Sequence, residues 1–240
     1  MNRIITRRLA RFKSHCDSHN PRNVNGLFCW MRADLLTTLV GSGVSAINDI
    51  SGNGIVAAQG APTTRPTLSS VGTNIKHIVS GPNSTWFQFQ NNVWSSLTAA
   101  EVFIVSRIDA TSTFGTIYGI GGTADGCFFT GGGIYDSFGS TVRYNAGSFG
   151  VEVQSPFIYN VSAGTNTWTN RLNGVIKYSN TSNVVAWNPI SHLLTLVNTD
   201  PSTFYLIGDF YELIVYNHVL SANERLIIMS YLSSRYNIKI

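Results

Sequence analysis

Charge is scarce in this sequence: Asp, Glu, Lys and Arg make up only 12% of its 240 residues. The hydrophobic share is 43%, so the chain carries enough apolar material to fold and is not a disordered segment. Long hydrophobic runs are missing as well. No stretch approaches the roughly twenty apolar residues of a membrane-spanning helix, and no span is expected. Cysteine is rare: Cys16, Cys29 and Cys127 are an odd set at wide spacing. That argues against a disulfide framework or a zinc site and points to free or buried thiols. The five histidines, His15, His19, His77, His192 and His218, show no metal-ligand spacing.

Clustered acids are also lacking. A jelly-roll glucanase sets carboxylates on one strand at a separation matched to one glycosidic bond. Here the only close pair is Asp209 and Glu212. Three apart on a regular strand, they are expected on opposite faces. Glu212 is expected to be buried with Phe210, Ile214 and Tyr216, and to orient a helix by pairing with Arg225. There is no Gly-x-Ser-x-Gly elbow, and Gly131-Gly132-Gly133 lacks the Lys of a phosphate loop. The chain is expected not to be an enzyme.

The net charge of +4 sits at one end. Residues 1–22 hold Arg3, Arg7, Arg8, Arg11, Lys13 and Arg22 against a single acid, Asp17. The rest is close to neutral, which disfavours a nucleic-acid-binding surface. Ile5, Leu9 and Phe12 fall at helical spacing, and His19-Asn20-Pro21 ends the segment. Residues 1–25 therefore read as a basic arm, with 26–240 as the body. Three roles stay open for the arm: docking on a partner surface, a solvated tail, or an organelle presequence.

What is abundant is strand and turn chemistry. Leu27 to Met31, Val102 to Ile108, Phe114 to Ile120, Leu193 to Val197 and Phe210 to Tyr216 are β-branched and aromatic runs. Asn173-Gly174 between two such runs predicts a hairpin with a type I′ turn. Near the end, Ser221 followed by Glu224 is a capping box opening one short helix. The pattern predicts an all-β fold: a two-sheet antiparallel β-sandwich with one short C-terminal α-helix.

Three blocks near the start resemble the opening of concanavalin A-like, LamG-type jelly-roll domains. They are Trp30-Met31-Arg32-Ala33-Asp34, Ile47-Asn48-Asp49-Ile50-Ser51-Gly52-Asn53-Gly54 and Arg65-Pro66-Thr67-Leu68. The segment from Gly208-Asp209-Phe210-Tyr211-Glu212 through Leu220-Ser221 and Glu224-Arg225 to Tyr236 is similar to that family's closing strand and helix. Ile47 stands where the family usually has Trp, a departure that implies a repacked core. The resemblance implies a jelly roll used for carbohydrate or protein contact, as on secreted bacterial proteins and tailed-phage virion proteins. Because the domain fills nearly the whole chain, it implies a virion accessory protein: a capsid decoration, head fibre or tail-fibre component. The arm would be anchored on capsid or tail proteins, the chain would form a homo-oligomer, and host surface glycan is a further candidate partner. A free lectin-like module is the alternative, and a glycosidase-related protein a weaker one.

Trp168, Asn170 and Arg171 are the first glycan-binding candidates, since a sugar needs an aromatic face beside groups that read hydroxyls. Tyr135 and Asp136 form a second group, followed by Arg143-Tyr144-Asn145. No cofactor is expected. Asp49 and Asn53 read as a turn bonded to its own backbone, and a structural calcium there, which some members of the family hold, is left open.

Overall fold

The computed structural model describes residues 19–70, 75–80, 87–90, 93–112, 114–121, 126–187, 192–193 and 207–240. Arg3, Arg7, Arg8, Arg11 and Lys13 lie outside the described residues. The first strands are β1 (Leu27–Arg32), β2 (Thr37–Val40), β3 (Gly43–Asn48), β4 (Val56–Ala58), β5 (Thr67–Ser69) and β6 (His77–Ser80). Next come β7 (Phe87–Phe89), β8 (Ala100–Ile108), β9 (Phe114–Gly119), β10 (Cys127–Thr130), β11 (Gly133–Asp136) and β12 (Tyr144–Ser148). The last are β13 (Phe157–Gly164), β14 (Thr167–Leu172), β15 (Val175–Asn180), β16 (His192–Leu193) and β17 (Gly208–Tyr216), followed by helix α1 (Ala222–Tyr236).

All of these strands pair antiparallel, in two facing layers. One layer runs β1–β17–β8–β13–β14–β15, with β6 beside the start of β17. The other runs β2–β3–β4–β7–β16–β9–β10–β11–β12. Strand β5 pairs with both β3 and β6 and carries the hydrogen bonding from one layer to the other. The expected all-β sandwich with a C-terminal helix is therefore what forms.

Side-chain alternation builds the core. Met31, Val102, Ile104, Tyr159, Val161, Trp168 and Leu213 point inward from the first layer, to meet Val44, Ile47, Phe87, Phe129 and Ile134 from the second. Ile47 is fully buried in this core. Cys29 and Cys127 are buried free thiols. Burial pushes both thiols well above their ordinary range, which removes thiolate character at neutral pH.

The outer face of the first layer is covered too. Trp30, Phe103, Val105, Ile158, Ile214 and Tyr216 pack under Ile228, Met229, Leu232 and Tyr236 of α1. This explains why β17 is buried along its whole length. Each of those four helix side chains contributes roughly 1.5–3 kcal/mol of gross burial energy. The predicted capping box is present. The Ser221 hydroxyl accepts from Glu224 N at 3.3 Å, and the Glu224 carboxylate accepts from Ser221 N at 2.8 Å. Asn237, left-handed at φ 53°, closes the other end. The predicted hairpin joins β14 and β15, with Asn173 at φ 47° and Gly174 at φ 84°. Asn173 Oδ1 also accepts from Ile158 N at 2.8 Å, tying the turn to the neighbouring strand.

Two expectations about β17 are corrected. A bulge between Phe210 and Glu212 resets the alternation. Phe210 joins the inter-layer core, while Tyr211, Ile214 and Tyr216 lie on the helix side. Asp209 and Glu212 therefore share that side instead of opposing one another. Glu212 does not pair with Arg225. Its carboxylate faces Arg235 Nε at 3.5 Å, and Arg225 binds Glu101 of β8 through two nitrogens at 2.5 and 2.9 Å. The reason is direction: α1 doubles back over β17, so its first turn lies near Tyr216 and its last turn near Glu212.

Candidate binding face

The outer face of the β2–β12 layer has no helix on it among the described residues. Phe128 and Tyr135 stack there from adjacent strands, with ring centres 5.4 Å apart and planes 15° from parallel. The Arg143 guanidinium lies 4.7 Å from the Phe128 ring centre. Burial lowers the Arg143 pKa, but a guanidinium stays charged at any working pH. Tyr135 is half-buried, so its ring is reachable from solvent.

Farther along this face, Gln88 points outward between the buried Phe87 and Phe89. It borders an open cleft of about 680 Å³ lined by Ala58, Gln59, Gly60, Ala61, Gln88, Phe89 and Gln90. The exposed amides of Gln88 and Gln90 give this cleft both donors and acceptors without charge. Gln59 Oε1 accepts from Ala61 N at 2.9 Å, which fixes the floor of the cleft. Three strand spacings separate β7 from β10, on the order of 14 Å.

The other expected glycan residues are not gathered. Trp168 is fully buried between the layers, and its indole N–H donates to Phe138 O at 2.9 Å. Asn170 is buried on the same side and donates to Ala146 O at 3.2 Å. Arg171, one residue on, points to the opposite face, where it donates to Asn160 Oδ1 at 3.1 Å. Asp136 also turns inward, away from its neighbour Tyr135. It accepts from Tyr118 OH at 2.6 Å, Tyr159 OH at 3.0 Å and Phe138 N at 2.8 Å. Burial raises its pKa to about 6 against those hydrogen bonds. Trp168, Asn170, Asp136 and Tyr144 are thus core residues, while Tyr135 joins the open face together with Arg143 and with Asn145, its exposed cross-strand partner. Phe128 and the glutamines were not singled out in the sequence; Phe128 sits in an apolar run whose inward members look the same.

The remaining polar groups are structural. Asp49 accepts from Trp30 N, Ser51 N, Ser51 Oγ and Asn53 N at 2.6 to 3.0 Å. Asn53 donates to Phe28 O at 2.8 Å. The loop is the backbone-bonded turn expected, and donors already occupy the oxygens a cation would need. Asp209 pairs with Arg107 at 2.5 Å and accepts from Tyr211 OH at 3.4 Å. Tyr236 OH donates to Glu212 at 2.6 Å and its ring packs on Tyr211 at 5.6 Å. Two tyrosines therefore link the two carboxylates. Burial, opposed by bonds from Tyr236 and Trp30, raises the Glu212 pKa. Among the described residues no group of three His, Cys, Asp or Glu is placed to hold a metal, and no helix is long and apolar enough to cross a membrane.

No family model matches the chain, and no curated protein matches it. Solved structures do. Trypanosoma rangeli sialidase in complex with sialic acid is 12% identical with a TM-score of 0.62, covering 95% of this chain and 39% of that one. The binding domain of botulinum neurotoxin DC in complex with SialylT is 10% identical with a TM-score of 0.63, covering 88% and 52%. The binding domain of Paraclostridial Mosquitocidal Protein 1 is 12% identical with a TM-score of 0.61, covering 90% and 53%. At such identities the likeness is one of fold, and the chain spans about half or less of each of these structures.

Proposed function

We propose that this chain is a lectin-like binding module that works by contact and recognises glycan on the open face of the β2–β12 layer. One observation carries this reading. Helix α1 covers β17 and its neighbours on one outer sheet face, whereas on the opposite face half-buried Tyr135 stacks on the buried Phe128 ring beside Arg143. A sugar ring binds through an apolar face laid on an aromatic and through hydroxyls read by amides. Tyr135 would supply the first, and Gln88 and Gln90, about three strand spacings away, would read the hydroxyls of a further sugar unit of an oligosaccharide. Two structural neighbours, seen with sialic acid and with SialylT, are in keeping with such a ligand class. The buried acids Asp136, Asp209 and Glu212 are each held by neighbouring donors, which favours binding over turnover.

Glycan-array binding by the full chain and by Tyr135→Ala tests the proposal. We expect saturable binding that Tyr135→Ala weakens at least tenfold at unchanged melting temperature. An empty array, or equal binding by the variant, overturns it. The finer placement we propose is on a phage virion, held to capsid or tail proteins by residues 1–22. Its support is the separation of charge between the basic arm and the near-neutral body. Particles that retain the protein after deletion of residues 1–18 would count against that anchor.

A further inference from the structure

On the helix side of the molecule, α1 leaves β14 and β15 partly open. Arg171 lies there, half-buried, directly across from Asn160 on β13. The nearest buried carboxylate, Glu101, is already saturated. It receives Arg225 Nε and Nη2, Asn160 Nδ2 at 2.9 Å and Leu220 N at 2.9 Å. Asn160 stands between the two groups, donating to Glu101 and accepting from Arg171 at 3.1 Å. Glu101 thus bonds Arg225 directly and reaches Arg171 only through Asn160, so Arg171 has no ion-pair partner among the described residues. Its only hydrogen bonds among the described residues come from Nη1, to Asn160 Oδ1 and, at 3.4 Å, to Ser162 Oγ. Nε and Nη2 remain for a partner. Beside it on the same face are Ser162, Thr169 and the exposed Ser179; the last two hydroxyls lie 3.1 Å apart.

We propose that Arg171 anchors an oxyanion-binding site on this strip. The ligand group is a carboxylate or sulfate, which a guanidinium grips with two parallel N–H groups, and the hydroxyls of Thr169 and Ser179 read the groups beside it. Burial and the neighbouring Arg225 lower the Arg171 pKa, and Glu101 opposes them in part. The group is carried either by an acidic sugar or by a free ion. The site lies on the opposite side of the sandwich from Tyr135 and does not rest on the role proposed for that face.

Calorimetric titration of the full chain at low chloride, with sodium sulfate and with N-acetylneuraminic acid, is the test. We expect saturable binding of at least one of them. Arg171→Gln should weaken it at least tenfold. Sulfate binding alone assigns the site to a free ion, and preferred binding of the sugar acid assigns it to an acidic glycan; both support the site. If Arg171→Gln does not fold by circular dichroism, Ser179→Asp at the exposed rim serves instead, with the same tenfold loss expected. Saturable binding of neither anion, or wild-type binding by the folded variant, overturns the proposal.

Discussion

Asp136 should make this protein less stable as the pH rises toward neutrality. Its carboxyl is fully buried, and its pKa is raised to about 6 in the folded chain. In the unfolded chain it returns to the ordinary value near 3.9. Between those two values the folded state binds the proton and the unfolded state releases it. Stability therefore falls with rising pH across the window. The contribution is fully present below the unfolded pKa and is lost once the pH passes about 6. At about 1.4 kcal/mol per pH unit, that loss is about 3 kcal/mol, a large part of the 5–15 kcal/mol typical of a domain. Asp136→Asn keeps one acceptor oxygen, for Phe138 N or for the Tyr118 and Tyr159 hydroxyls but not for both, and has no proton to lose. Urea unfolding of both proteins at several pH values from 4 to 7 isolates the effect, because every other titrating group is common to the two. The free-energy difference between them should shift by about 2–3 kcal/mol in favour of the asparagine variant as the pH rises. A difference that stays flat over this range would refute the assignment of the titration to Asp136.

Glu101→Gln should cost about 3–5 kcal/mol, because it strips a buried carboxylate from Arg225 and Leu220 N. Glu101→Gln combined with Arg225→Met should recover part of that loss in a double-mutant cycle followed by urea unfolding. Asn173→Ala should destabilise by about 1–3 kcal/mol, through strain at positive φ and the orphaned Ile158 N–H. Thermal melts would register that as a fall of several degrees, and an unchanged melt would contradict the turn described here.

Local chemistry was the legible part of this sequence. The capping box at Ser221, the Asn173-Gly174 hairpin and the Asp49–Asn53 turn each depend on residues within four positions of one another. Strand alternation was legible in kind but not in phase. It separates Trp168 and Asn170 from Arg171, and Tyr135 from Asp136. It does not say which member of a pair faces inward, and the candidate groups mixed the two sides. The bulge at Tyr211 has no marker among its neighbours, so the faces of Asp209 and Glu212 came out wrong. The Glu212–Arg225 pairing failed for a longer-range reason. Which arginine meets which acid follows from the direction in which α1 crosses the sheet, and Glu101 lies more than a hundred residues upstream of its partner.

That α1 follows in sequence every strand it covers has a consequence for biosynthesis. Trp30, Phe103, Ile158 and Ile214 find their cover only when the final helix emerges from the ribosome. Until then the nascent sheet leaves an apolar flank uncovered, where a second nascent chain can pair with it. Ribosome stalling or a premature stop just before Ser221 should therefore yield aggregates, whereas loss of a few residues after Tyr236 should be tolerated.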